Sequence, residues 1–392
     1  MKKSIFIYIF LFITMAGISI ILGITSNAEP NLSMDFVKAN NILLENNTTL
    51  KKLEYSKEIA EIEYYLALEN SLSLQDRLSS LKRANRLSFF DEVELIKQIE
   101  LTPLKVNNSW KSIDANIENT KNNLTLSLRD LFIGLYSVIN DTDLANERIK
   151  IAEQEFNQAQ INFSKGLIDQ SELLEYEYNL IKTEIDYDTA ERNKENISRN
   201  INSLIYMPLN QIYEDLSIVE DIRLYEEKYQ DEELVQANEF VAEAVQNRLE
   251  VKTIEQEIAL KEKELELIQS IFLYLLFDEG KKDYEDVVRE LESLELQLKQ
   301  TRSNIEKEIN VAIVDLKIEK QNIESLKREI DLEKRKLEQF SLLYTQGKIV
   351  RNDVDNLALN LKELENSLET TMYQYVTKRM KLNFASGIDQ TN

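Results

Sequence analysis

The segment Phe163-Ser164-Lys165-Gly166-Leu167-Ile168 returns later in the chain as Tyr344-Thr345-Gln346-Gly347-Lys348-Ile349. Both copies place an aromatic residue before a glycine and an isoleucine after it. Glycine readily adopts the left-handed backbone conformation that ends many helices, so each copy predicts a helix end followed by a turn. The chain therefore contains the same helical reversal twice.

A long apolar stripe leads into each of these turns. Its members are spaced alternately four and three residues apart, which keeps them on one face only if the helices supercoil. In the first half the stripe comprises Val106, Trp110, Ile113, Ile117, Thr120, Leu124, Leu128, Leu131, Leu135, Val138, Thr142, Ala145, Ile149, Ala152, Phe156, Ala159 and Phe163. In the second half it comprises Ile305, Ile309, Ala312, Leu316, Glu319, Ile323, Leu326, Ile330, Glu333, Leu337, Phe340 and Tyr344. We therefore predict coiled-coil-like packing, in which the aromatic members serve as packing residues.

The chain has few residues that end helices. Only seven glycines and three prolines occur in 392 residues, so long helices are predicted. We expect one helix over residues 34–87, a break marked by Phe89, Phe90 and especially Pro103, and a longer helix from there to the first turn. Another helix is expected over residues 170–205.

An offset of 181 residues relates the two halves beyond the turns as well, since it places Asn179 on Asn360 and Glu184 on Glu365. The predicted fold class is all-α, with two tandem repeats of long coiled-coil-like helical hairpins. We divide the chain into a leader at 1–28, a first helical repeat at 29–206, an acidic linker at 207–233 and a second helical repeat at 234–392.

The leader has the features of an export sequence. Lys2 and Lys3 precede an apolar run over residues 5–24, and Ser26-Asn27-Ala28 forms a small-x-small cleavage site. We favour cleavage after Ala28. The apolar run is also long enough, at about 20 residues, to stay in a bilayer as an anchor. Both alternatives place the bulk of the chain outside the cytoplasm.

Composition excludes several classes of function. The chain has no cysteine and no histidine, which removes the usual zinc ligands and the histidine-based catalytic triads. The carboxylates are dispersed, and no spacing marks a hydrolytic pair. A net charge of −23 repels phosphate backbones. We expect no enzyme, no catalytic or metal-binding residue, no cofactor and no nucleic-acid partner.

The whole arrangement resembles the TolC-like outer-membrane efflux protein family, over essentially all of the chain after the leader. The more specific match is the pair of aromatic-x-x-Gly-x-Ile turns at Gly166 and Gly347. The family's opening element, Asn-Asn-Pro or Arg-Pro, is matched at Asn46-Asn47 and Asn247-Arg248, where both prolines are missing. The resemblance implies the protomer of a trimeric, hollow α-helical tube.

The chain departs from the family pattern in two places. Gly387 matches the closing glycine of the second repeat, but Tyr206 stands at that position in the first. Family members also carry paired membrane-spanning β-strands between the first two helices of each repeat, and such strands need about 9 to 11 alternating residues. Residues 66–112 alternate poorly and residues 268–277 form one short apolar run. We expect helix tips or tight hairpins there, and little or no β-structure.

The resemblance also assigns the residues of the two turns. In the family these tips face the periplasmic adaptor of an efflux pump and form the entrance of the tube. The docking residues would be Gly166, Leu167, Ile168, Gly347, Lys348 and Ile349. The simpler interpretation is that both segments are only helix caps.

Acidic residues beyond the turns are candidates for a pore constriction. The family places an aspartate six residues after the second glycine and another three residues later. Here these positions hold Asp353 and Asn356, and the first-repeat equivalents are Glu172 and Glu175. In a trimer each carboxylate would form a ring that favours cations. The alternative is an ordinary solvated helix face.

The apolar run at 271–277 cannot lie on a single helical seam. It is expected to be buried between protomers, to seal the distal end of a tube or to contact a membrane.

Two functions remain open. The first is a passive exit duct in the cell envelope, in the outer membrane or the periplasm, working as a homotrimer with an adaptor and an inner-membrane pump. The second is an extracytoplasmic coiled-coil scaffold or spacer without a lumen. The duplicated turns favour the duct, and the missing strands count against it.

Overall fold

The computed structural model describes residues 32–216, 219–230 and 237–387. The leader predicted at 1–28 lies outside these residues. The first repeat contains β1 (Leu32–Met34), α1 (Phe36–Asn46), α2 (Thr48–Arg83), α3 (Phe89–Ser164) and α4 (Gln170–Leu204). Next come β2 (Tyr213–Leu216), α5 (Val219–Leu224) and a π-helical turn (Tyr225–Tyr229). The second repeat contains α6 (Ala237–Asn247), α7 (Leu249–Ser270), a 3-10 turn (Tyr274–Leu276), α8 (Asp278–Thr345) and α9 (Arg351–Ala385).

The predicted all-α architecture is confirmed. Helix α3 has 76 residues and α8 has 68, so at 1.5 Å per residue they run about 110 and 100 Å. The long helices pack side by side as antiparallel neighbours, α3 against α2 and α4, and α8 against α7 and α9. Strand content in the described residues is limited to β1 and β2, which pair in parallel.

The predicted apolar stripes form the packed faces of the long helices. Leu128, Leu135, Ile309 and Leu316 are fully buried. The periodicity therefore identified the correct face over most of its length. The stripes end differently from the prediction, because their last members, Phe163 in the first repeat and Tyr344 in the second, are exposed beside the glycine turns.

The helix predicted over 34–87 is divided at Asn47. This residue has an extended backbone, and its Oδ1 accepts hydrogen bonds from the N–H groups of Thr49 at 2.9 Å and Leu50 at 3.0 Å. It is thus a side-chain cap that starts α2. Arg248 has the same extended backbone before α7, without a side-chain cap. The two opening elements matched in the sequence are therefore equivalent helix junctions.

The break predicted at Pro103 is wrong, because Pro103 lies inside the continuous helix α3. A proline has no N–H to donate to the carbonyl four residues earlier, which here belongs to Ile99. The hydroxyl of Ser71, on the neighbouring helix α2, donates to that carbonyl at 2.8 Å. A tertiary hydrogen bond thus replaces the helical one, and α3 continues.

The segment predicted as an acidic linker contributes to the protein core. Tyr213 of β2 is buried against the first repeat, while Tyr225 and Tyr229 are buried against the second. Tyrosines interspersed among the acidic residues of this stretch account for the difference, because their rings are buried. The domain boundaries themselves remain a prediction.

The two repeats are joined by a buried arginine. The side chain of Arg129 in α3 lies 2.5 Å from a carboxylate oxygen of Asp221 in α5, and its Nε donates to the hydroxyl of Thr377 in α9 at 3.2 Å. Its guanidinium also lies over the rings of Phe36 and Tyr373, at 5.0 and 4.8 Å. Charge pairing and cation–π contact compensate the burial of this cation.

Candidate functional site

The first glycine turn ends α3 with two backbone hydrogen bonds. Gly166 has φ of 73°. Its N–H donates to the carbonyl of Phe163 at 2.9 Å, and the N–H of Leu167 donates to the carbonyl of Asn162 at 2.9 Å. This pattern is the Schellman motif, which satisfies carbonyls left free at a helix end.

The second glycine turn repeats this geometry at the end of α8. Gly347 has φ of 68°, its N–H donates to the carbonyl of Tyr344 at 2.8 Å, and the N–H of Lys348 donates to that of Leu343 at 3.0 Å. A Cβ added at Gly347 or at Gly166 would meet no atom within 4 Å. Backbone conformation, rather than crowding, thus requires glycine at both turns.

The two turns lie at the same end of the molecule but at different heights. Asn352, just after the second turn, donates its side-chain N–H to Glu155 of α3 at 3.2 Å. Glu155 precedes the last residue of α3, Ser164, by nine positions. Helix α3 therefore runs about 13 Å beyond this contact, at a rise of 1.5 Å per residue. The second turn itself lies a few residues before Asn352 in the chain and extends a little beyond the contact, so the first turn projects about 10 Å beyond the second.

After its glycine, each turn presents one apolar side chain to solvent. In the first turn it is Leu167, and Ile168 is half-buried. In the second turn Lys348 is exposed, Ile349 is half-buried and the exposed apolar residue is Val350. Val350 was not among the predicted docking residues, because it lies one position beyond the matched motif.

Two of the three predicted pore carboxylates have a local capping role. The carboxylate of Glu172 accepts from the N–H of Asp169 at 3.3 Å, and Asp169 accepts from the N–H of Glu172 at 2.9 Å. Asp353 similarly accepts from the N–H of Val350 at 3.3 Å. These bonds start α4 and α9. Glu172, Glu175 and Asp353 are all exposed in the single chain.

Polar contacts hold α3 against α9 between this end and the middle of the rod. The ammonium of Lys362 lies 2.9 Å from Glu147, and the hydroxyl of Tyr136 donates to Glu369. Burial, together with that hydrogen bond, raises the pKa of Tyr136 to about 12. The first repeat and the second are thereby joined along their length.

The sides of the rod carry further apolar stripes that are exposed. On α2, on α4 and over residues 311–318 of α8 they have the same spacing of three and four residues as the buried stripes, and two further members follow along α8 in the same heptad frame. All of them lie on the outer faces of these helices. We call them the lateral stripes: Tyr55, Ile59, Ile62 and Leu66 on α2, Leu174, Tyr178, Ile181 and Ile185 on α4, and Val311, Val314, Ile318, Leu332 and Leu342 on α8. Exposed apolar surface of this extent is typical of an interaction site.

Other types of site find little support in the described residues. These residues contain no group of three or more acidic side chains that could hold a metal ion. A groove of about 630 Å³ lies at the junction of the repeats, and the ion-paired side chains of Arg248 and Glu250 line it. Among the helices described, none is both long enough and apolar enough to cross a bilayer.

The sequence matches no family model and no curated protein. Its structure is similar to the open state of the MtrE outer membrane channel of Neisseria gonorrhoeae, with a TM-score of 0.62 and 14% identity, covering 93% of this chain and 91% of that one. The Campylobacter jejuni CmeC outer membrane channel gives a TM-score of 0.61 and 14% identity, covering 91% of this chain and 87% of that one. The chain has the TolC-like fold.

A crystal structure of CusC extends this similarity, with a TM-score of 0.63 and 10% identity over 93% of this chain and 95% of that one. At such identities the likeness concerns the TolC-like fold alone. The similar structures are channels rather than enzymes, which points away from catalysis. The fold inferred from the two glycine turns is confirmed.

Proposed function

We propose that this chain is one protomer of a passive exit duct in the cell envelope. The observation that carries the proposal is the set of lateral stripes on a rod with the TolC-like fold. Those stripes are exposed in the single chain, and their heptad-like spacing suits other helices of the same kind. Copies of the chain packed side by side would cover them and enclose a lumen.

The proposed assembly is a homotrimer, with stoichiometry taken from the family resemblance. A closed ring buries the lateral stripes on every protomer, whereas an open row would leave one edge exposed. Passage through such a lumen needs no bond to be made or broken. The proposed duct is therefore not an enzyme and needs no cofactor.

The proposed partners are an adaptor at the glycine turns and a pump in the inner membrane. Exposed Leu167, which is one of the docking residues inferred from the sequence, and exposed Val350, which follows the second set, offer apolar contacts. Asp353, Glu172 and Glu175 lie just beyond the turns, where rings of carboxylates would narrow the entrance and favour cations. The proposed location is the cell envelope, and the leader would direct export.

The assembly is tested by the mass of the protein without its leader, combined with negative-stain imaging. A trimer with a central channel supports the duct. A monomer, or a solid rod without a channel, supports the alternative of an extracytoplasmic scaffold or spacer.

The lateral stripes are tested by the double variant Ile181→Asp with Ile185→Asp. Charges in an apolar interface should convert the trimer to monomers, while the helical circular dichroism stays unchanged because both residues are exposed in the chain. The control is Asn179→Asp, which adds a charge at an exposed position of α4 outside the stripe. If the double variant stays trimeric, α4 does not form the interface.

Adaptor docking is tested at the turns themselves. Replacing Gly166 and Gly347 with valine should reduce export of a toxic dye, since a β-branched residue disfavours the left-handed backbone of each turn. Normal export by a correctly assembled variant would remove the docking proposal.

A further inference from the structure

The two repeats pack against each other along one face of α9. The α9 residues that bond to α3 are Asn352, Lys362, Glu363, Glu369, Thr377 and Lys381. Leu359 lies between Asn352 and Lys362 at heptad spacing, and it is only 6% exposed. We call the contact of α3 with α9 the internal junction. It joins the first repeat to the second within one chain.

The offset of 181 residues between the repeats maps this face of α9 onto the lateral stripe of α4. Tyr178 corresponds to Leu359, and Ile181 corresponds to Lys362. Tyr178 is 70% exposed, whereas Leu359 is buried. The lateral stripe of α4 is therefore the first repeat's version of a face that is covered in the second repeat.

The same offset maps the other side of the internal junction onto α8. Ile133 of α3 packs against Tyr373 of α9 and is 9% exposed. Its counterpart on α8 is Val314, a member of a lateral stripe, which is 52% exposed. In the part of the chain that the structure describes, no comparable packing joins α8 to α4. Each chain thus carries both halves of a second junction, and another copy can complete it.

Opposite charges are kept at one pair of matched positions, although both signs are reversed. Within the chain, the guanidinium of Arg148 lies 2.7 Å from the carboxylate of Glu363. The counterparts of these residues are Glu329 on α8 and Lys182 on α4. Both are exposed, and neither forms an ion pair among the described residues. The double reversal preserves attraction at this position of the second junction, whereas a single reversal would produce repulsion.

A second pair of matched positions is also oppositely charged. Within the chain, the hydroxyl of Tyr136 donates to the carboxylate of Glu369. The counterparts are Lys317 on α8 and Asp188 on α4. Both are exposed, and the structure gives neither an ion pair within the residues that it describes. An ammonium can thus replace the phenol as the donor to a carboxylate, with a charge-assisted hydrogen bond.

Other matched positions are more apolar than those of the internal junction. Ile181 stands where the internal junction has Lys362, and Val311 stands where it has Asp130. Contact through this surface would draw on the burial of apolar area. The two ion pairs would then select how the helices align.

We propose that α4 of one copy packs antiparallel to α8 of the next copy, in the register of the internal junction. In this register Lys317 of one copy pairs with Asp188 of its neighbour. Glu329 likewise pairs with Lys182. A slip by one heptad would move each charge about 10 Å from its partner, so the two ion pairs exclude such slips. The pairing rests on the side-by-side assembly of the proposed duct, and it specifies which surfaces meet.

Engineered cysteines report the register directly, because the chain has no cysteine of its own. The protein without its leader, carrying Lys317→Cys with Asp188→Cys, is treated with a short bismaleimide. The matched cysteines should link separate chains into covalent trimers on a denaturing gel. The control pair is Lys317→Cys with Leu174→Cys, which moves one cysteine about 21 Å along the same face of α4 and should leave the chains unlinked.

Charge reversal tests the contribution of the ion pair. Asp188→Lys places two ammonium groups together and should weaken association about tenfold at each contact, as measured by the mass distribution on dilution at low salt. Adding Lys317→Asp to the same protein should restore association. The control is Asp186→Lys, which makes the same charge change at an exposed position on a different side of α4 and should associate as the parent does.

The register is overturned if the control cysteines link and the matched cysteines do not. It is also overturned if Asp188→Lys and Asp186→Lys weaken association equally and Lys317→Asp restores nothing. A trimer with a channel whose matched cysteines stay unlinked would remove the register alone and leave the proposed duct standing. Linkage of the matched cysteines in an assembly without a channel would support the register and remove the duct. A monomeric parent protein would remove both.

Discussion

The hydrogen bond from Ser71 to the carbonyl of Ile99 should contribute most to the free energy of unfolding when Pro103 is present. Pro103 removes the helical donor to that carbonyl, and the Ser71 hydroxyl at 2.8 Å replaces it. We therefore predict that Ser71→Ala destabilises the parent protein but not the Pro103→Ala variant. In that variant the backbone N–H at position 103 can donate to the carbonyl of Ile99.

The magnitude follows from two opposing effects. Loss of a partner by a partly buried carbonyl costs about 1 to 1.5 kcal/mol. Alanine is a better helix former than serine by about 0.5 kcal/mol. Ser71→Ala should thus lower the unfolding free energy of the parent by about 0.5 to 1 kcal/mol, and raise that of Pro103→Ala by about 0.5 kcal/mol. The coupling between the two sites is about 1 to 1.5 kcal/mol.

Urea unfolding of all four proteins, followed by circular dichroism, measures this coupling. Amide hydrogen exchange of residues 96–110 reports whether the change is local. Ser73→Ala, at an exposed position of the same helix, controls for helix propensity. An equal cost of Ser71→Ala in both backgrounds would show that the hydroxyl does not compensate for the proline.

Tyr206 has φ of 62° where the second repeat has Gly387, so Tyr206→Gly should raise the unfolding free energy by about 1 kcal/mol in urea unfolding; a loss of stability would contradict this. Gly387→Ala should destabilise more than Gly166→Ala in the same assay, because its Cβ would meet Asn247 at 2.6 Å while that of Gly166 meets nothing; equal losses would exclude crowding. Tyr136 has a pKa raised to about 12 from its ordinary 10, so its neutral form stabilises the fold at pH below 10 and this contribution disappears as the pH rises towards 12. Absorbance titration at 295 nm should show a late phase, to which Tyr213 also contributes because burial raises its pKa to about 12. Tyr136→Phe should remove one phenol from that phase, and an unchanged late amplitude would refute the shift.

Features with a local cause could be predicted from the sequence. The glycine turns follow from backbone conformation, and the buried stripes follow from their spacing. The continuous helix at Pro103 does not follow from the local sequence, because the compensating donor, Ser71, lies on a different helix. The left-handed backbone of Tyr206 could be suspected only from its alignment with Gly387.

The candidate site was predictable in part, for a related reason. The positions of the two turns follow from a short motif, and the structure places both turns at one end of the rod, whereas their docking role is part of the proposal. The lateral stripes obey the same spacing rule as the buried ones, but which faces stay exposed depends on how the helices pair within the chain. The capping role of Glu172 also needed coordinates, since the same carboxylate could equally have pointed freely into solvent.

The step of about 10 Å between the two turns has a consequence for recognition. In a closed ring of three protomers, the first glycine turns and the second glycine turns would alternate around the entrance, and the first would project further. The symmetry of the entrance would be threefold, although six similar turns contribute to it. A partner with six identical contact segments would bind only three of the six turns at the same height. Binding all six would require partner segments of two different lengths.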